Sequence, residues 1–250
     1  MSLERRYIYG IIQESESRKF GFSGIDDAEV YTIRHKEVSA VVSDIGPEEI
    51  DPTLKNVRVH AAVQDELLKN YTLLPMGFGM IAGGNGDVFK LLEKNYQGLI
   101  DGLKRLDGKV EVELKVFWDQ EAMIKELQSG SDELTRLKAK IKNAPSPAEA
   151  QRLLIEAGEL VERIVQDWKA KYADRVYCVL KGLCNDARLN NPLGVKNIMN
   201  ASFLIDKAKE SDFQKEVYRL DSRYQGKVNF KYVGPLAPYN FVNLKLEPVS

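Results

Sequence analysis

Residues 109–118 read Lys-Val-Glu-Val-Glu-Leu-Lys-Val-Phe-Trp. Val110, Val112, Leu114 and Val116 alternate with Lys109, Glu111, Glu113 and Lys115. That period of two puts successive side chains on opposite faces of a strand. One face is expected in the core and the other in water, the pattern of an antiparallel sheet. Asp107-Gly108 stands just before this strand, where a helical pattern stops. The domain boundary is therefore placed there, with an N-terminal α/β domain over residues 1–108 and a second domain from residue 109.

Toward the N-terminus, residues 5–12 carry the aromatic and β-branched residues of a first strand, ended by the charged, serine-containing stretch 13–19. Residues 29–33 and 38–45 predict two more, joined by a hairpin turn at Arg34-His35-Lys36-Glu37. Ala40-Val41-Val42 is a continuous apolar run, so that strand is expected to be buried on both faces. Pro47 and Pro52 stop it, and Thr53 is placed to cap a helix whose apolar face is Val57, Ala61, Leu67, Leu68 and Tyr71. A strand over 73–81 and one amphipathic helix over 87–106 follow, the latter capped by Asp87 and bearing Val88, Leu91, Leu92, Leu99 and Leu103. The expected order is β-β-β-α-β-α.

Toward the C-terminus, Met123, Leu127, Leu134, Leu137 and Ile141 recur at helical spacing, with a break at Ser129-Gly130-Ser131. Past the loop Asn143-Ala144-Pro145-Ser146-Pro147, a second helix over 148–172 shows Leu154, Ala157, Val161, Ile164 and Trp168. The short proline loop makes the two arms an antiparallel αα-hairpin. Residues 175–180 predict a strand, 185–192 a polar turn, 198–205 a strand, 207–224 a helix with Phe213, Val217 and Leu220 on one face, and 227–233 a final strand. This β-α-α-β-β-α-β order predicts an α+β fold in which residues 109–233 form a ferredoxin-like βαββαβ unit with the helical hairpin inserted in its first crossover. Residues 234–250 form a proline-containing tail, expected to pack on the domains through Tyr239, Phe241, Val242, Leu244 and Leu246.

The 250 residues include 36 basic and 37 acidic side chains, a formal net charge of −1. Such a balance supplies no long-range field for nucleic acid or an anionic membrane. The apolar stretch at 7–12 is too short for a secretory h-region, and no window approaches the roughly 20 apolar residues of a bilayer helix. A cytoplasmic protein is expected. Cys178 and Cys184 fit neither a C-x-x-C nor a zinc pattern and are expected to be reduced thiols, Cys178 within a buried strand.

Candidate chemistry is sparse. The only histidines are His35, expected in a turn, and His60, early in a helix beside Ala61, Ala62 and Val63 as a packed or capping imidazole. No metal-ligand spacing or G-x-S-x-G elbow occurs. The turn Gly83-Gly84-Asn85-Gly86 before Asp87 can present backbone N–H groups to a phosphate, which leaves a small-ligand or nucleotide-binding enzyme as one alternative. It lacks the lysine and Ser/Thr of a P-loop, and Asp87 repels an anion. Phe230 and Tyr232 alternate on the last strand, as base-stacking rings do in RNA-binding ferredoxin-like sheets, which leaves an RNA-binding module as another. The RNA-recognition signature is not matched, and burial of the two rings under the hairpin or tail is the competing expectation.

Five segments in order resemble the gas vesicle F/L family: Arg6-Tyr7-Ile8-Tyr9-Gly10-Ile11-Ile12 its first strand, residues 37–45 (EVSAVVSDI) its second strand block, residues 60–68 (HAAVQDELL) followed by 73–79 (LLPMGFG) its helix and L-P-x-x-F-G signature, residues 106–119 (LDGKVEVELKVFWD) its most distinctive stretch, and residues 234–242 (GPLAPYNFV) its G-P-W-P-P-Y-x-F-V ending. Leu236-Ala237 stand where that family usually has Trp-Pro, Gly77 where an arginine is common, and Met80 where a threonine is common. The resemblance implies an accessory or minor structural protein of gas vesicle assembly. Its implied partners are the hydrophobic gas vesicle shell protein and other gas vesicle accessory proteins. It implies no catalytic residues, no metal and no cofactor, and none is assigned here.

Overall fold

The computed structural model describes residues 5–129, 131–192, 194, 196–244 and 246–247. The chain divides into two compact units: one of residues 1–112, 204–208 and 234–250, the other of residues 113–203 and 209–233. The sequence boundary at Asp107-Gly108 lies four residues before the end of the first of these stretches, and the first unit also draws in two segments that are remote in sequence.

The first unit is built on a sheet of β1 (Arg5–Gln13), β2 (Lys19–Ser23), β3 (Glu29–His35), β4 (Val38–Ile45), β5 (Leu73–Pro75) and β6 (Ile81–Ala82). The strand order is β2-β3-β4-β1-β5, with β6 also pairing β1. All these pairings are antiparallel. The β3–β4 hairpin closes at Lys36-Glu37, where Lys36 takes φ 55°. Helix α1 (Leu54–Asn70) begins at Thr53, whose hydroxyl accepts the Asn56 N–H. It packs on one face of the sheet, where Val63 and Leu67 meet Tyr7, Tyr9, Ile12 and Val41. Helices α2 (Asn85–Lys94) and α3 (Tyr96–Leu106) cover the other face, where Val88, Leu92, Leu99 and Leu103 meet Ile8, Ile11, Val38, Ala40 and Val42. With both faces covered, the Ala40-Val41-Val42 run is fully buried.

A register shift between Ile8 and Gly10 lies in β1. Before it Tyr7 and Tyr9 face α1; after it Ile12 does, so the bulge reverses the alternation. Gly10 is required there. A Cβ would sit 2.8 Å from the backbone oxygen of Leu74 and 2.5 Å from the Leu73 side chain.

Five readings of this unit are corrected. The strand Lys19–Ser23 was not foreseen, because its five residues (KFGFS) include a glycine and sit beside a charged stretch. The strand expected over 73–81 is two short pieces, since Gly77 and Gly79 (φ 84°) interrupt it. The single helix over 87–106 is two, parted at Asn95, which takes φ −102° and ψ 8° and whose side chain donates to the Leu91 carbonyl. Asp87 is not the cap; Gly84 holds that position and Asp87 lies within the first turn. The buried face of α1 is His60, Val63, Gln64 and Leu67, whereas Val57 and Ala61 are exposed.

The second unit has the strand order β10-β7-β9-β8, from β7 (Lys109–Trp118), β8 (Asp186–Asn190), β9 (Asn197–Asp206) and β10 (Val228–Leu236). Between β7 and β8 run α4 (Gln120–Ser129), α5 (Asp132–Lys142) and α6 (Pro147–Lys181); α7 (Glu210–Tyr224) joins β9 to β10. The expected break between the first two helices is closed by Ser131, which caps α5. Gly130 itself lies outside the described residues, as do Lys245 and 248–250 of the tail. Ser146 caps α6 with Pro147 in the first turn. Leu134 and Leu137 pack on Leu153 and Leu160 to form the hairpin seam.

Three corrections follow here. Residues 175–180 continue α6 rather than forming a strand: Val176 and Leu180, four apart, are buried while Cys178 and Val179 between them are exposed, a helical and not an alternating pattern. The strand before β9 is instead Asp186–Asn190, read from sequence as a polar turn because an edge strand with intermediate and exposed residues shows no apolar alternation. Leu154, placed on the hairpin seam, is 57% exposed, and its neighbour Leu153 holds the seam position.

Candidate functional site

The most developed polar constellation is a buried knot in the first unit. His60 and Gln64, one turn apart on α1, both face the core, 3% and 1% exposed. Around them stand Tyr7 from β1, the Met76 carbonyl just after β5, and Tyr239 from the tail. The donors and acceptors interlock, and the Gln64 amide nitrogen also lies 2.9 Å from His60 Nε2. The Tyr7 hydroxyl donates to His60 Nδ1 at 2.9 Å and accepts the Gly79 N–H at 3.1 Å. His60 Nε2 faces the Met76 carbonyl at 3.1 Å and the Tyr239 hydroxyl oxygen at 3.0 Å. The Tyr239 hydroxyl donates to Gln64 Oε1. Gln64 Nε2 donates to the Tyr9 carbonyl at 2.7 Å and the Met76 carbonyl at 3.1 Å. This assignment puts the imidazole proton on Nε2.

Burial lowers the His60 pKa, so the ring is neutral at neutral pH; the Met76 carbonyl opposes this weakly. Burial likewise pushes the Tyr7 and Tyr239 phenols up to about 12, which keeps both as donors. No serine, threonine or cysteine takes part in these bonds, so the imidazole has no nucleophile to activate. Chemically, the knot ties a strand, a helix, a loop and the tail together through neutral hydrogen bonds. Tyr7 and Gln64 were not singled out from sequence as polar partners, and Tyr239 was read only as a packing residue of the tail. The available signal was Gln64 four residues after His60 on an otherwise apolar helix face.

The glycine turn lies elsewhere in the same unit. Gly83 and Gly84 connect β6 to α2, and Asn85 and Gly86 are already in the helix. The Asp87 carboxylate lies over Gly83, 2.6 Å from where a Cβ would stand. The guanidinium of Arg6, a buried residue, is held by Asn85 Oδ1 at 2.7 Å and by Asp44 at 3.3 Å. The position an anion would take at this helix start faces the chain's own carboxylate.

The remaining candidates stand apart. His35 ends β3 and packs edge-on against Phe89 and Tyr96, at 4.9 and 5.5 Å between ring centres. Cys178 is exposed on α6, correcting its expected burial in a strand; its thiol donates to Asp174, which raises its pKa. Cys184 is also a free thiol, its pKa raised by burial first and by Asp186. Phe230 stacks on Tyr224 at 6.5 Å, and Tyr232 donates to Glu210 at 3.1 Å. Residues of α7 thus engage both rings. Among the described residues, no group of three or more His, Cys, Asp or Glu is placed to hold a metal ion. None of the described helices is long and apolar enough to cross a membrane.

A family model described as gas vesicle synthesis protein GvpL/GvpF matches residues 5–243. The chain belongs to this family. Among its GvpL/GvpF relatives, gas vesicle protein F of Nostoc sp. strain PCC 7120 is 27% identical over 241 residues, covering 95% of this chain and 98% of the relative. Gas vesicle protein F of Streptomyces sp. strain CB03234 is 28% identical over 239 residues, covering 94% and 98%. The crystal structure of the gas vesicle protein GvpF from Anabaena sp. PCC7120 superposes with a TM-score of 0.82 at 25% identity, over 97% of this chain and 99% of that one. The mixed α/β architecture is that of a GvpL/GvpF protein along nearly its whole length. The tail belongs to it too: Tyr239, which closes the knot, falls inside the matched range.

Proposed function

We propose that this protein acts in gas vesicle assembly as a non-enzymatic accessory or minor structural component, cytoplasmic and associated with gas vesicles, that binds the hydrophobic gas vesicle shell protein and other gas vesicle accessory proteins. The observation that carries the reading is the family match over residues 5–243. Two features of the chain support the absence of turnover. The buried His60, its pKa lowered by burial, is spent on structural hydrogen bonds. The glycine turn is faced by its own Asp87. The net charge of −1 leaves apolar contact and shape as the main source of affinity. The second unit is read as ferredoxin-like, a reading supported by its strand order β10-β7-β9-β8 with helices between β7 and β8 and between β9 and β10.

The test is co-purification of the full chain with the shell protein at moderate and high salt. A complex that survives added salt is expected, because screening acts on charge pairs and not on apolar area. Absence of a complex, or normal gas vesicles in cells lacking this protein, overturns the proposal.

A further inference from the structure

The second unit carries a groove that none of the contacts above occupies. Helices α6 and α7 pack on each other. Beside their contact lies a groove of about 530 Å3, with Tyr172, Arg175 and Val179 on the α6 wall and Leu220, Arg223 and Tyr224 on the α7 wall. Lys227, just past α7, completes the lining. On α6 the spacings of three, four and seven residues put the set on one helix face, and on α7 Arg223 and Tyr224 lie three and four residues after Leu220. Arg175, Val179, Arg223 and Lys227 are exposed.

Two properties define its chemistry. First, the lining holds three cations and no carboxylate, in a chain whose net charge is −1. Among the described residues, the Glu126 carboxylate lies 3.7 Å from Lys227 Nζ. Second, the tyrosines are fixed by a file of rings. Tyr172 meets Tyr224 edge-on at 5.5 Å and Trp118 at 5.1 Å, and Tyr224 stacks on Phe230 at 6.5 Å. The ring wall of the groove is thus pre-shaped.

We propose that this groove docks an acidic, amphipathic segment of a partner protein, with carboxylates on Arg175, Arg223 and Lys227 and an apolar side chain against Val179, Leu220 and the tyrosine rings. Arginine forks pair carboxylates bidentately. Exposed ion pairs contribute little singly, so affinity needs several carboxylates at once together with the apolar strip. A peptide supplies both; a small free anion supplies neither the span nor the apolar contact. Nucleic acid is disfavoured because its affinity grows with the number of phosphates neutralised, and three cations are few. The inference stands independently of the gas vesicle reading.

The experiment selects a displayed random-peptide library on the immobilised full chain, then measures labelled selected peptides by fluorescence polarisation. The chain is compared with the Arg175→Glu/Arg223→Glu/Lys227→Glu variant and the milder triple glutamine variant, both checked for folding by circular dichroism. Expected are selected peptides rich in Asp and Glu interleaved with apolar residues. Their affinity should fall at least about tenfold in the glutamate variant, less in the glutamine one. It should also weaken as salt rises from about 0.05 to about 0.5 M. Selected peptides without carboxylates, or equal affinity for all three proteins, overturn the proposal. So does a labelled oligothymidylate of about 20 nucleotides that binds more tightly than every selected peptide and is lost in the glutamate variant.

Discussion

At His60 a titratable ring is sealed among neutral partners, and this gives the protein a pH-dependent term with a definite sign. Burial lowers the folded-state pKa of His60 below the ordinary histidine value. The unfolded chain accepts a proton near pH 6.5 that the folded chain resists. Below that pH unfolding takes up a proton, so stability falls as pH falls; above it the term is silent. Thermal unfolding followed between about pH 7 and pH 5 should show the midpoint dropping in the wild type, and dropping less in His60→Gln, which is less stable throughout but lacks the titration. Parallel curves would remove His60 from the explanation. The pairing of His60 with Gln64 was half legible: the histidine was read as packed or capping, but nothing local shows that a residue 179 positions away closes the set.

At the element scale, the helical hairpin is where periodicity carried furthest and also slipped by one residue. The two heptad-like seams and the proline loop predicted antiparallel arms over α5 and α6, and the arms pack on each other through Leu134, Leu137, Leu153 and Leu160. Leu153 and Leu154 are adjacent and equally apolar, so sequence alone does not say which faces the partner helix. Denaturant unfolding should separate them: Leu160→Ala is expected to cost about 2–5 kcal/mol as a buried leucine, and Leu154→Ala less than about 0.5 kcal/mol as an exposed one. Similar losses for both would mean the seam is misplaced. The misread strand at 175–180 belongs to this scale as well. Val-Tyr-Cys-Val-Leu is a strand by local propensity, but in a 35-residue helix, about 52 Å long, the backbone hydrogen bonds are already committed and the buried positions fall four apart.

For the whole molecule, the decisive fact is that the first unit is assembled from three separate stretches. Its core includes Leu204 from β9 and Phe241 from the tail, the latter fully buried. The Glu111 carboxylate, also buried, accepts the Asn240 backbone N–H at 2.9 Å and its side-chain amide at 2.5 Å. Losing a buried phenylalanine alone costs about 3–5 kcal/mol, a large share of the 5–15 kcal/mol that holds a typical domain. A fragment of residues 1–108, the domain as drawn from sequence, should therefore lack native near-ultraviolet circular dichroism and fast-exchange its β1 amides, whereas the full chain protects them. A fragment as well protected as the full chain would show that the returning segments are dispensable.

Sequence by itself determined the local elements and their order wherever the pattern has a period. Examples are the alternation over 109–118, the doubly buried run at 40–42, the Thr53 cap, and the hairpin arms with their proline loop. These depend on backbone geometry within a few residues, which the sequence states directly. The ordered motifs from Arg6 to Val242 carried the family resemblance for the same reason. Tertiary structure decided what depends on distant partners. It joined the tail to the first unit, since burying Phe241 needs a cavity built by residues more than a hundred positions earlier. It made β8 a strand, since an edge strand gains its order from β9 and not from its own composition. It gathered His60, Gln64, Tyr7 and Tyr239 around the Met76 carbonyl, since a buried polar group must find its partner wherever the fold brings one.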